Sequence, residues 1–147
     1  MARVLAFLTA GQIVALHTEL LARWGGEEGG GHRGASFEGV DAAAQAVKNS
    51  YYDTPEELAA AYAVYIVQGH VFLDGNKRTG AASMLVFLQV NRIKMRVPSL
   101  EIAAKMIELQ RRSEAGEHAG ELVEWLAGWL SEHRVRAGSG RRRRKKR

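Results

Sequence analysis

Eleven residues, His70 to Gly80 (His-Val-Phe-Leu-Asp-Gly-Asn-Lys-Arg-Thr-Gly), separate two apolar segments, Ala60 to Gly69 and Ala81 to Val90. Within nine of them stand a titratable ring, a carboxylate, an amide and two adjacent cations. Packing does not explain so dense a polar cluster between apolar runs. Asp74-Gly75-Asn76 is a natural turn, with Gly75 free to take positive φ. The apolar run after it has helical spacing, since Ala81, Met84, Leu85 and Leu88 fall at i, i+3, i+4 and i+7. Asn76, Lys77 and Arg78 are therefore expected at or just inside a helix N-terminus. Free backbone N–H groups and the positive end of the helix dipole make such a place an anion site, and the two cations strengthen it. The stretch reads as a phosphate cradle, with a base on one side and a metal-binding carboxylate in its floor.

The rest of the chain predicts a helical frame around this motif. Thr9 and Gln12 have the spacing of a capping box, and Ile13, Leu16, Leu20 and Trp24 then mark one face of a first helix that Gly25-Gly26 stops. His17 lies in that helix and reads as a surface or otherwise satisfied histidine. Residues 25 to 34 hold six glycines, a loop from which His32 and Arg33 are expected to be merely solvated. A second helix is expected over Gly39 to Asn49, with Val40, Ala43, Ala44 and Val47 inward. Residues 50 to 54 then connect, and Tyr51 and Tyr52 read as core or rim aromatics. Thr54-Pro55-Glu56-Glu57 combines a cap, a Pro at the first helical position and Glu at the third, a strong helix start. Leu58, Tyr62, Tyr65, Ile66 and Gly69 are its expected buried face.

After the motif helix, Asn91 is a plausible C-cap and residues 93 to 97 alternate like a short extended piece. Pro98 and Ser99 start a further helix with Leu100, Ala103, Ala104 and Ile107 inward, which Gly116 breaks. A last helix runs from about His118 to Val135, carrying Leu122, Leu126, Trp129 and Leu130 on one face. The expected fold is all-α: a compact bundle of about six helices around a central motif helix, with at most one short β-hairpin or flap. Residues 1 to 135 form the domain and residues 136 to 147 a disordered basic tail.

Composition bounds the class. At 147 residues the chain is one domain with room for a core. It has no cysteine, which fits a reducing cytoplasm, and no apolar run approaches the ~20 residues of a membrane span. The net charge of +5 misleads, because residues 141 to 147 are all Arg or Lys. They are seven of the 21 basic side chains, so the remaining 14 face 16 acidic ones and the body is mildly acidic. Nucleic acid is expected to be bound weakly through the tail, if at all.

The motif suits phosphoryl or nucleotidyl transfer, which needs charge neutralisation, in-line positioning and a destination for a proton. His70 suits the proton, since imidazole titrates near neutral pH. Asp74 suits Mg²⁺, which takes one or two carboxylates plus phosphate oxygens. Gly75 and Asn76 offer donors to phosphate, and Lys77 and Arg78 offset charge on the transferring group. Phe72 is an apolar anchor pinning the loop to the core. The competing reading of His70, a core histidine satisfied by a carbonyl, sits poorly with these neighbours.

His-x-Phe-x-Asp-Gly-Asn-Lys-Arg-Thr resembles the motif of the Fic/Doc superfamily in its Doc (death-on-curing) form. Fic proteins that transfer AMP usually read His-Pro-Phe-x-Asp/Glu-Gly-Asn-Gly-Arg, with a second Arg three residues later. Here Val71 replaces the Pro, Lys77 the second Gly, and Ala81 stands where the second Arg falls. Those departures resemble Doc proteins, as do Phe7-Leu8-Thr9 and residues 81 to 91. The resemblance implies a toxin that uses ATP to phosphorylate a threonine of elongation factor Tu, restrained by an antitoxin whose C-terminal segment folds into a groove near the site. It also implies a flap before the motif, for which residues 50 to 54 or the preceding loop are candidates. In the family's terms, losing the second Arg while gaining Lys77 favours transfer of the γ-phosphoryl group. Ser113-Glu114-Ala115-Gly116-Glu117-His118 fails at the last position of the self-inhibitory string of many Fic enzymes, so inhibition in trans is expected. AMP transfer to a protein hydroxyl, and a non-catalytic nucleotide- or partner-binding role, are the alternatives the sequence leaves open.

Overall fold

The computed structural model describes residues 4–24 and 37–136. The Gly-rich stretch with His32 and Arg33, the side chain of Trp24 and the basic run at 141–147 lie outside them. Six α-helices account for most of the described chain: α1 Ala10–Trp24, α2 Phe37–Lys48, α3 Pro55–Gly69, α4 Asn76–Val90, α5 Ser99–Glu114 and α6 Ala119–Glu132. The only β-type pairing among the described residues is an isolated antiparallel bridge between Met95 and Arg134. The backbone bonds Arg96 N–H to His133 O and Val135 N–H to Lys94 O, both 2.9 Å, flank it. The fold is all-α.

Helix starts follow the sequence closely. Thr9 Oγ1 accepts from Gln12 N–H at 3.2 Å while Gln12 Oε1 accepts from Thr9 N–H at 2.8 Å, a complete capping box. Thr54 and Glu57 make the same reciprocal pair at α3, with Pro55 at its first position. Each box satisfies two of the backbone donors that a helix start leaves orphaned. On α2 the buried residues are Val40, Ala43, Ala44 and Val47, the four the periodicity marks.

The centre of the bundle is shared by α3 and the motif helix α4. On α3, burial extends round the helix: Leu58 to Val64, Ile66 and Val67 are all buried. Its small side chains let neighbours close in on every side. A Cβ added at Gly80 of α4 would lie 3.1 Å from Val67 Cγ2 and 3.3 Å from Ala63 O, so the two helices flanking the motif touch backbone to backbone there. Tyr65 is only half-buried and Gly69 is exposed, so the inward face expected for α3 ends one turn early. On α4 the buried set is Thr79, Gly80, Ser83, Met84, Phe87 and Leu88, with Ala81 and Leu85 on its flank.

Two features close the bundle. Asn91, at the C-cap of α4, donates from Nδ2 to Phe87 O (2.8 Å) and exchanges two bonds with the backbone of Ala6. Arg134 pairs at 2.9 Å with Glu56, a carboxylate only 6% exposed, tying the end of the fold to the start of α3.

The facing expected for α5 fails outright. Leu100, Ala103, Ala104 and Ile107 of α5 face outward, Leu100 at 85% and Ile107 at 54% exposure; Met106 and Leu109 are buried instead. The α5 sequence carries two stripes of helical period, 100-103-104-107 and 102-106-109. The second lies inward, and beside it Lys105 and Arg112 reach over the Trp125 ring at 5.2 and 4.6 Å. Seating the first stripe would take both cations off that ring.

Candidate active site

The site is the junction of α3 and α4. His70 caps α3 in a left-handed conformation (φ 48°, ψ 49°) and its N–H donates to Val67 O at 3.3 Å. A non-glycine residue there is strained by roughly 1 kcal/mol or more, and the strain turns the chain sharply out of α3. Val71 and Phe72 return at once to the core, both under 9% exposed. Phe72 is buried, and its ring partner is His17. The two rings stack face to face, centroids 3.8 Å apart and planes 5° from parallel.

His17 is the residue that the sequence reading passed over. It is 0% exposed, and Nε2 donates to the carbonyl of Asp74 at 2.8 Å. A carbonyl only accepts, so Nε2 carries the proton. It is neither a surface histidine nor, among the described residues, one hydrogen-bonded at both ring nitrogens: it lies on the inner face of α1, bonded through Nε2 under the motif loop. The available signal was its place four residues after Ile13 and three before Leu20 on the apolar stripe.

The loop is further closed by Asn76. Phe72 N–H donates to Asn76 Oδ1 at 3.0 Å, and Asn76 Nδ2 donates to Phe72 O at 2.8 Å. The amide oxygen and one amide hydrogen are used on Phe72, which leaves Asn76 its second amide hydrogen and its backbone N–H for an anion. Gly75 takes φ 82° as the N-cap of α4 and brings no side-chain cap; the first turn of α4 contains no acid. The start of this helix thus has the character of an anion site. Gly75 N–H donates to Asp74 Oδ1 at 2.7 Å, and the Asp74 side chain stands at the surface.

Lys77, half-buried, donates from Nζ to Gln110 Oε1 at 2.6 Å, and Gln110 in turn donates to Glu114 at 3.1 Å. Gln110 of α5 gave no chemical signal in the sequence; only the packing of α5 on α4 brings it here. Arg78 is exposed on the next position of α4, and Thr79 is fully buried, out of reach of solvent.

Two cavities meet at His70. One, of about 160 Å³, is lined by His70, Asp74, Gly75, Asn76, Lys77 and Gln110. The other, of about 400 Å³, runs between α2 and the end of α3, lined by Gly39, Ala42, Ala43, Tyr65, Gly69 and His70. The first gathers a ring, a carboxylate, a cation and helix-terminal amides; the second is lined by small and apolar residues with Tyr65 and the His70 ring, and by no carboxylate, Lys or Arg. Asp74 fits the donor set a hard divalent ion takes when substrate phosphates supply its remaining oxygens. No group of three or more acidic, His or Cys ligands exists among the described residues, so a cage made wholly of protein groups is not what they form. Tyr51 is exposed and its ring packs tilted against Tyr52, centroids 4.9 Å apart, so the pair sits at the rim. No helix of the described residues is long and apolar enough to cross a membrane.

The sequence profile of the Fic/DOC family matches residues 7–88, a span that runs from the segment before α1 to the last turns of α4. A protein of Escherichia phage P1, Protein kinase doc, is 34% identical over 86 residues, which are 57% of this chain and 67% of that protein. The match holds both halves of the site, the His17 support and the His70–Arg78 loop, and more than half of the chain: this protein belongs to the Fic/DOC family.

Proposed function

We propose that this protein is a Doc-like toxin, transferring the γ-phosphoryl group of ATP to a Ser or Thr hydroxyl of a protein in the cytoplasm, with elongation factor Tu as the expected target. The observation that carries this reading is the position of His70 between a phosphate-handling cavity and an uncharged groove. Such a ring can take a proton from a hydroxyl entering from the groove while the phosphate lies on its other side. ATP brings the phosphoryl group, and Mg²⁺ held at Asp74 screens its charge when bound. Lys77, held in place by Gln110, and the N-terminus of α4 balance negative charge on the transferring group. Arg78 adds a second cation on the outer side. Ala81 lies four residues after Lys77, so the same face of α4 bears a cation and then a methyl group. That pattern favours phosphoryl over AMP transfer in the family's terms, and the name of the phage P1 relative agrees with it. An antitoxin supplied in trans is the matching form of control.

Incubation with ATP, Mg²⁺ and elongation factor Tu, followed by mass spectrometry, tests the reading. Gain of one phosphate is expected, and gain of AMP would replace phosphoryl with nucleotidyl transfer. His70→Ala is expected to cut transfer ~10²–10⁴-fold with the helical content intact. Asp74→Asn is expected to raise the Mg²⁺ concentration needed and lower the rate, with little change in thermal stability. Full activity in a folded His70→Ala protein would remove the base from the mechanism.

A further inference from the structure

The segment that leads into α1 is tied to the fold along one edge only. Ala6 N–H donates to Asn91 Oδ1 at 2.7 Å, and Ala6 O accepts from Asn91 Nδ2 at 3.0 Å. Two residues on, Leu8 N–H donates to the Tyr62 hydroxyl at 2.8 Å, and Leu8 O accepts from it at 3.3 Å. Two side chains thus stand in for a neighbouring strand, at the two-residue spacing with which an extended chain repeats one edge. Leu5 and Phe7 carry the opposite edge, and among the described residues their N–H and C=O groups meet no hydrogen-bond partner.

Beside this segment runs a cavity of about 690 Å³, with α2 as its far wall. The wall presents Phe37, Asp41, Gln45 and Lys48, spaced i, i+4, i+8 and i+11, a face adjoining the buried one. Phe37 is 60% exposed, a large apolar ring standing in solvent. Asp41 and Lys48 have no ion-pair partner among the described residues. An unpaired strand edge next to an exposed ring and two unpaired opposite charges is chemically specific: it suits backbone pairing plus alternate side chains, as in strand addition.

We infer that this groove binds an extended segment of a partner protein, added as a strand to the Leu5–Phe7 edge, with a basic residue over Asp41, an apolar residue against Phe37 and an acidic residue over Lys48. The geometry sets the spacing. Seven residues of helix separate Asp41 from Lys48 by about 10.5 Å along the axis. Same-face residues four apart on a strand are about 13 Å apart, and long side chains absorb the difference. Phe37 lies about 6 Å beyond Asp41 on the side away from Lys48, close to the spacing of residues two apart on a strand, so the segment reads apolar-x-basic-x-x-x-acidic, in one chain direction. The surface is separate from the cavities at His70, so it is a docking site and its failure leaves the phosphotransfer reading untouched.

The test titrates the full-length, ¹⁵N-labelled protein with a capped peptide containing Val-Thr-Arg-Thr-Ser-Thr-Glu, and separately with the reversed order. One of the two is expected to shift the Leu5 and Phe7 amides saturably and to slow their hydrogen exchange at least tenfold. N-methylation of the peptide backbone on its pairing edge, or Phe37→Ala, is expected to weaken binding about tenfold or more. Lys48→Glu is expected to do the same for this peptide and to be rescued by exchanging its Glu for Arg. Phe37 and Lys48 are exposed, so neither change disturbs the fold. The inference is overturned by shifts confined to His70–Lys77, by no saturable shift at millimolar peptide, or by Lys48→Glu without rescue. It also falls if the two amides are already slow to exchange in the free protein, which would mean that this chain or a second copy covers the edge.

Discussion

His17 acts on the motif from 57 residues upstream, through one hydrogen bond to Asp74 O and one ring stack on Phe72. It is a positioning residue: it touches the loop that bears Asp74 and Gly75 and lines neither cavity at His70. Replacing it by Phe keeps an aromatic ring against Phe72 and removes the bond to Asp74. The stability cost expected is about 1 kcal/mol, that of one neutral hydrogen bond. Activity is expected to fall further, roughly 10- to 100-fold in kcat, because small misplacements of catalytic groups cost far more than the bonds that prevent them. Measured kcat and thermal midpoint separate the two, and a variant with lowered midpoint but unaltered kcat would make His17 an ordinary core residue. The reason sequence alone did not find it is physical. Motif chemistry is proposed from sequence because His70, Asp74, Lys77 and Arg78 fall within nine residues, whereas a support residue is recognisable only from what lies over it. His17 sat on an apolar stripe, where a histidine most often needs no further explanation. Asn76 shows the same limit, since its residue type announced an amide donor but not that the amide closes the loop on Phe72.

At the scale of elements, signals carried by backbone chemistry were read off directly. Both capping boxes, the Pro55 start, the Asn91 cap and the break at Gly116, which takes φ 93°, are local properties of a few adjacent residues. The facing of a helix is not local when two stripes compete. Helix α5 carries both, and the stripe with fewer small residues turns inward because Met106 and Leu109 fill depth that Ala103 and Ala104 cannot. The inverted register has a sharp consequence. Met106→Ala is expected to destabilise by about 2–5 kcal/mol, the range for emptying a buried site of that size. Ile107→Ala, at an exposed position, is expected to stay within about 0.5 kcal/mol. Denaturant midpoints of the two variants decide it, and equal losses would return α5 to the register its first stripe suggests. Equally non-local is the seating of Gln110 against Lys77, which depends on that register: turning α5 to bury Ile107 would swing Gln110 away from the site.

For the whole molecule, charge and burial make separate predictions. The basic run at 141–147 supplies the excess positive charge and stands beyond the last helix, while the site has its own cations in Lys77 and Arg78. Deleting it is expected to leave phosphotransfer to a protein substrate unaltered and to reduce non-specific, salt-sensitive RNA binding. A truncated protein that binds ATP and target yet transfers nothing would place function in the tail. Burial acts through Tyr62, whose hydroxyl joins α3 to the segment before α1 from a side chain 1% exposed. Burial pushes its pKa up from 10.0 to about 12, the bond to the Leu8 backbone opposing only in part. A phenol held neutral in the folded state is a raised-pKa group. Its contribution is whole below about pH 10, where both states keep the proton, and is lost as pH rises toward 12, because the unfolded chain ionises first. Between pH 9 and pH 11.5 that loss comes to about 2 kcal/mol. Lysines and the partly buried Tyr52, itself raised to about 12, titrate in the same window, so the comparison is with Tyr62→Phe. That variant is less stable at pH 9, since Leu8 N–H loses its acceptor, by about 1–3 kcal/mol. Its stability is expected to fall less steeply with pH, so that the gap between the two proteins narrows by about 2 kcal/mol at pH 11.5. Urea unfolding of both proteins at the two pH values measures the gap, and a constant difference would mean that Tyr62 ionises as freely in the folded protein as in the unfolded chain.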